Sequence, residues 1–191
     1  HLLEAGFGSG TTAVLLADLG YQVDAIDREP GLVARFQQRY SDWERSGRVN
    51  ASCADMLRLP WEEGAFDAVY HQGVLEHCSD DVIVQALTEQ GRVARRIVFD
   101  VPNHRYDAHP FGNERLLGLR HWRSLIARAG LEIEELFGRE FPAWFYAAPF
   151  AAFSRSGLLR APWFGRNFGR SWIFLCRPVA SGEPQPPENR G

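Results

Sequence analysis

The sequence predicts an α/β protein, a three-layer sandwich built on a mostly parallel sheet with an antiparallel last strand. Three observations predict it. Strand-like runs and helix-like runs alternate along most of the chain, the pattern of a parallel sheet with helices on both faces. A glycine-rich turn, EAGFGSG, joins the first strand-like run to the first helix-like one. Two late strand-like runs, Leu131 to Phe137 and Ser171 to Cys176, are suited to pair with each other.

In order, Leu2 to Ala5 reads as the end of a strand. After the Gly6 to Gly10 turn, Thr11 to Leu19 carries Val14, Leu15 and Leu19 on a helix face, and Gly20 ends that helix. Tyr21 to Asp27 alternates as a strand does, Leu32 to Tyr40 is helix-like, and Arg48 to Cys53 is a short strand. Phe66 to His71 makes a fourth strand. Asp80 or Asp81 can cap a helix running to about Glu89, and Arg96 to Val101 makes a fifth strand closed by Pro102. Trp122 to Ala129 is a helix stopped by Gly130. The stretch from about 141 to 169 is rich in Phe, Trp, Ala, Pro and Arg without a regular period and reads as an insertion. Ser181 to Gly191 has no apolar anchor and reads as a disordered tail.

A chain of 191 residues, 45% hydrophobic and 24% charged, fits one domain over residues 1–180 followed by that tail. The first strand has almost no room after His1, so the domain reads as N-terminally truncated. The formal charge of -3, with both signs interspersed, supplies no cationic face for nucleic acid phosphates and favours a small-molecule partner. Cys53, Cys78 and Cys176 are odd in number and contain no CxxC pair, which argues against a disulfide framework or a structural zinc site and suits a cytoplasmic setting. No apolar run is long enough for a transmembrane segment.

Parallel sheets of this kind bind ligands at the carboxyl ends of their strands. That edge collects Glu4 and Gly6, Asp27, Asp55, His71 with Gln72, and Asn103 with His104. Gly6, Gly8 and Gly10 let the backbone turn tightly and approach a ligand closely. Asp27, 21 residues after Gly6, can accept hydrogen bonds from both hydroxyls of a ribose, or act as an ordinary cap for the helix near Pro30. A dinucleotide fingerprint would place its third glycine where this chain has Thr11. Glu4 is unhelpful to a phosphate but complements a ligand carrying an ammonium group and a sulfonium.

With these residues in view, LLEAGFGSG resembles the first motif of the class I S-adenosylmethionine-dependent methyltransferases of small-molecule type, whose fold is Rossmann-like. The resemblance runs from Leu2 to about Arg139 and continues in Ser171 to Arg177. It implies S-adenosyl-L-methionine as cofactor, with Glu4 organising the methionine-ammonium end, Gly6 and Gly8 admitting the cofactor and Asp27 holding the ribose. SCADMLRLPWEEGAFDAVYHQGVLEH is similar to the family's next block and implies adenine contacts from Asp55 and the Met56 amide. HQGVLEH resembles the loop after strand four, implying that Gln72, Gly73 and Val74 border the methionyl part while His71 and His77 lie nearer the acceptor. GNERLLGLRHW also resembles small-molecule members, and the helices that precede the first strand in this family are absent.

The reaction implied is direct displacement at the sulfonium methyl, with a base needed only where the acceptor must lose a proton. His71 is the first candidate for that base, the alternative being a structural role, as a strand-end polar residue for His71 and a helix-start residue for His77. His104, Asp107 and His109 could in principle ligate a metal, but a solvated loop is the simpler reading and no metal is expected. Asn103, His104, Asn113 and Glu114 are candidate acceptor-side groups. Trp144, Phe145, Tyr146, Trp163 and Phe164 either line an apolar or aromatic acceptor site or pack on the sheet. Two other readings stay open. One is a domain that binds the cofactor without catalysis. The other is a nicotinamide-dependent oxidoreductase, which Asp27 allows and Glu4 and the glycine spacing disfavour.

Overall fold

The computed structural model describes residues 1–106, 112–139 and 169–179. The insertion read at about 141–169 falls outside these residues except for Gly169, and the tail at 181–191, Asp107 and His109 fall outside them altogether.

Seven strands form one sheet. They are β1 (Leu2–Ala5), β2 (Val23–Asp27), β3 (Val49–Cys53), β4 (Ala68–Gln72), β5 (Ile97–Pro102), β6 (Leu131–Arg139) and β7 (Ser171–Pro178), in the spatial order β3-β2-β1-β4-β5-β7-β6. The first five pair in parallel, and β7 runs antiparallel to both β5 and β6. The sequence expectation of a mostly parallel sheet with an antiparallel last strand therefore holds. β4 begins two residues later than the run starting at Phe66 suggests, but Phe66 still makes an isolated parallel bridge to Ala94.

Among the described residues five helices cover the sheet: α1 (Thr11–Asp18), α2 (Pro30–Arg39), α3 (Ser41–Arg45), α4 (Asp80–Val93) and α5 (Leu119–Arg128). Glu29, and not Asp27, caps α2, its side chain accepting from the Gly31 amide at 3.3 Å with Pro30 in the first turn. Asp80 and Asp81 lie inside the first turn of α4, where their charge suits the positive end of the helix dipole, and Ser79 is the cap residue. α4 reaches Val93, a turn beyond the Glu89 expected, because Ile83, Ala86, Leu87, Gln90 and Val93 continue one buried stripe. The short helix α3 has no buried residue and so leaves no periodic signal.

Alternation along the strands divides the core. Val23, Ala25, Val49 and Ala51 pack with Ala13, Val14, Ala17, Val33 and Phe36 of α1 and α2. Ile97, Phe99, Val101 and Phe174 pack on the other face with Ile83 and Leu87 of α4 and Trp122, Leu125 and Ile126 of α5. Leu3, Ala5, Ile26 and Val69 extend that second face toward β2.

Candidate active site

Two neighbouring cavities open beyond the carboxyl ends of the parallel strands, as the topology requires. The larger holds about 790 Å³, within the range of small-molecule sites. Gly6, Asp27 and Asp55 with Met56 line it from the ends of β1, β2 and β3, and Gly73, Val74 and Cys78 line it from the loop after β4. The smaller holds about 170 Å³ and is walled by charged and polar groups, among them Glu76, Asp100, Glu114 and Arg139. Gly73 and His77 line both.

The glycine turn is tied to β2 through Asp27, whose carboxylate accepts from the Gly8 amide at 3.3 Å and from the Glu29 amide at 3.0 Å. Since an ionised carboxylate has about four acceptor positions, these two bonds leave capacity for ribose hydroxyls. Gly6 stands at φ 77°, and a Cβ there would come to 3.0 Å from the Val74 side chain, so the cavity keeps its shape only if this position has none. Gly10 serves a different end. At φ 71°, a Cβ would sit 2.1 Å from the Phe36 ring, so this glycine is required by the packing of α2 against the start of α1.

Asp55 accepts from the Leu57 amide at 2.9 Å, fixing the turn that carries Met56. That segment is fastened to α4, where Glu89 accepts from the Leu59 amide at 2.8 Å and Arg92 donates to the carbonyls of Leu59 and Trp61. Glu4 does not line the cavity. It is buried on the α1 face, accepting from the Tyr70 hydroxyl at 3.0 Å. Burial pushes its carboxyl up to about 7, with partial relief from Tyr70 and the Ala13 amide. Burial, together with the Glu4 charge, holds the Tyr70 phenol well above the ordinary phenol range.

Further expectations are not met by the geometry. Gln72 lines the smaller cavity, its amide 3.4 Å from Asp100, and does not border the larger one. His71 lines neither. Strand alternation sends its ring to the α4 face, where it is 3% exposed, stacks on Phe99 at 5.4 Å and has no hydrogen bond at either nitrogen. Burial pulls its pKa down to about 4, with the nearby Gln90 amide opposing. A ring enclosed in this way cannot take a proton from an acceptor in either cavity. Asn103 is likewise structural, donating to the Gly169 carbonyl at 2.9 Å and accepting from the Arg105 amide.

Further residues complete the site, Arg28 and Leu32 from outside the sequence motifs and Glu76, Asn113 and Glu114 from within them. Arg28 and Leu32 line the larger cavity from the start of the β2–α2 connection and from α2. Glu76, in the 3-10 turn Leu75–His77, lines the smaller one. Its spacing of three residues from Gly73 is the available signal, since one 3-10 turn brings such positions onto one side. Asn113 hydrogen-bonds the His77 ring at 2.8 Å and lines the larger cavity, while Glu114 lines the smaller. Arg115 secures this stretch by bonds to the Cys78 carbonyl and to Asp80, which also meets His121 at 2.8 Å.

A family profile described as "Methyltransferase domain" matches residues 2–96. A "Probable S-adenosylmethionine-dependent methyltransferase" of Mycolicibacterium smegmatis is 30% identical over 148 residues, 72% of this chain. The chain spans about half that relative's length, 54%. The ubiquinone biosynthesis O-methyltransferase of Xanthomonas oryzae pv. oryzae is 30% identical over 176 residues, 87% of this chain and 69% of the relative. Among solved structures, magnesium protoporphyrin IX methyltransferase from Synechocystis with bound S-adenosylhomocysteine aligns over 93% of this chain and 74% of that one, with TM-score 0.65 and 16% identity, a likeness of fold. With the strand order, the motif residues around the larger cavity and these relatives in agreement, the chain belongs to the class I S-adenosylmethionine-dependent methyltransferases.

Proposed function

We propose that this chain binds S-adenosyl-L-methionine in the larger cavity and transfers its methyl group to a small-molecule acceptor held in the smaller one. The observation that carries this is the junction of the two cavities at Gly73 and His77, which brings a nucleoside-sized cleft and a polar pocket together at the ends of β1 and β4. In this reading Asp27 accepts the ribose hydroxyls, and Asp55 with the Met56 amide holds the adenine. Gly6 admits the methionyl part, and Glu4 supplies negative charge beneath the ammonium end. Gly8 acts through Asp27, Gly10 through packing and Gln72 from the acceptor side.

When bound, S-adenosyl-L-methionine supplies a methyl carbon made electrophilic by its sulfonium. The protein's contribution is proximity and alignment. The apolar or aromatic acceptor expected from Trp144, Phe145 and Tyr146 rests on sequence alone, whereas the described wall of the smaller cavity favours a polar group at the point of transfer. A cytoplasmic setting fits the free thiols Cys53, Cys78 and Cys176. Among the described residues no helix is long and apolar enough to cross a membrane.

Calorimetric titration with S-adenosyl-L-methionine, S-adenosylhomocysteine and NAD tests the cofactor assignment. Saturable binding of the first two and not of NAD is expected. Asp27→Asn and Asp27→Ala should each weaken binding by about tenfold or more, the loss of one charge-assisted hydrogen bond. Unchanged affinity in both would remove Asp27 from the site. Binding without methyl transfer to any acceptor would favour a non-catalytic domain.

A further inference from the structure

Glu76 is a buried carboxylate in the smaller cavity. It is 4% exposed, and its Oε2 is enclosed with no hydrogen bond. Its Oε1 lies 3.5 Å from where a Cβ on Gly73 would stand, and Gly73, at φ 67°, is one of the two residues that line both cavities. The carboxylate therefore sits directly under the passage through which a methyl group and an acceptor atom must meet. A buried acceptor atom without a donor is destabilising, more so when charged, and a ligand that brings a donor relieves that cost.

Resting on the assignment of the two cavities made above, we propose that Glu76 is the proton-accepting carboxylate of the acceptor pocket and that the methylated atom is one carrying a proton, an O–H or N–H that donates to the Glu76 carboxylate. In the reaction the acceptor's lone pair forms the new bond to the methyl carbon while the carbon–sulfur bond breaks with its pair on sulfur. The acceptor's proton passes to Glu76, which returns it to solvent. An acceptor that is already an ionised carboxylate brings no proton and would meet Glu76 and its acidic neighbours with like charge.

Several titratable groups face Glu76. They are His77 on the same turn, Asp100 on β5, Glu114 ahead of α5 and Arg139 at the end of β6, the last 3.1 Å from Asp100. Burial raises the Glu76 carboxyl, its own amide and His77 oppose this, and Asp100 and Glu114 add to it. The direction is the one a general base working near neutral pH needs.

The test uses the purified chain saturated with S-adenosylhomocysteine and three probes of similar size: catechol, benzylamine and benzoate. Calorimetry should show binding of catechol or benzylamine, the stronger of the two identifying an O–H or an N–H acceptor, and no binding of benzoate. Glu76→Gln should weaken the preferred probe about tenfold while S-adenosylhomocysteine affinity and melting temperature stay within error. With S-adenosyl-L-methionine and the preferred probe, kcat should fall about 100-fold in Glu76→Gln and lose its acidic limb against pH, and Glu76→Asp should restore part of both. Benzoate binding as tightly as the donors, no donor probe binding, or an unchanged pH profile in Glu76→Gln would each overturn the proposal. Because cofactor affinity is read separately, such a result is distinguishable from failure of the cofactor site itself. If both variants unfold, the wild-type probe order alone decides.

Discussion

Glu4 and His71 sit on paired strands but on opposite faces of the sheet, and their titrations work against each other. Glu4 is raised in the fold from 4.5 to about 7, so its contribution to stability is present below pH 4.5 and is lost as pH rises through 7. His71 is lowered from 6.5 to about 4, so its contribution is present above pH 6.5 and is lost as pH falls toward 4. Each shift corresponds to about 3 kcal/mol. Between pH 4.5 and 6.5 the two slopes cancel, which predicts a flat stretch in the urea midpoint. Glu4→Gln should replace it with stability rising with pH from 4 to 6.5, and His71→Leu with stability falling from 4.5 to 7. Midpoints for both variants that remained flat would place the shifts elsewhere. Cofactor affinity adds a second readout, because a cationic ligand favours the ionised Glu4 and binding should tighten as pH rises toward 7 in the wild type but not in Glu4→Gln.

At the scale of elements, the glycines of the first turn separate into kinds that their spacing does not distinguish. At Gly8, φ 54°, an added Cβ would meet nothing within 4 Å, whereas at Gly10 it would meet the Phe36 ring. Gly8→Ala should cost about 1 kcal/mol, the penalty for a left-handed residue, and Gly10→Ala about 2–4 kcal/mol, since the ring must also move. Urea unfolding of the two variants measures the difference, and equal costs would mean that α2 yields freely. The same contrast marks what a sequence can disclose. Strand ends are legible because glycine, Asp27 and Asp55 punctuate alternating runs, and the topology sends every such end to one edge. His71 is misleading because adjacent positions on a strand face opposite ways, Tyr70 toward Glu4 and His71 toward Phe99, and polarity alone does not reveal that neither lines a cavity. Glu76 stays hidden in the sequence because its burial depends on Asp100, Glu114 and Arg139, brought to it from distant parts of the chain.

Across the whole molecule, β7 inserts between β5 and β6 and carries Cys176 into the core at 0% exposure. Burial, with the charge of Glu134, pushes that thiol up to about 12, while Cys53 is exposed. A thiol-exchange reagent should therefore label Cys53 at once and Cys176 only along the global unfolding curve. Labelling of Cys176 in native buffer would show that β7 opens by itself. The order of strands also apportions the two cavities along the chain. Among the described residues, every one lining the larger cavity except Asn113 precedes residue 83, and the family profile ends at residue 96. Asp100, Pro102, Tyr106, Glu114, Arg139 and Ser171 of the smaller cavity all come later. Under the assignment proposed above, substitutions in the later half would alter the compound accepted while the earlier half goes on holding the same methyl donor, so that specificity could be changed without rebuilding the site of the reagent. The halves meet at Gly73 and His77, the two residues common to both rooms.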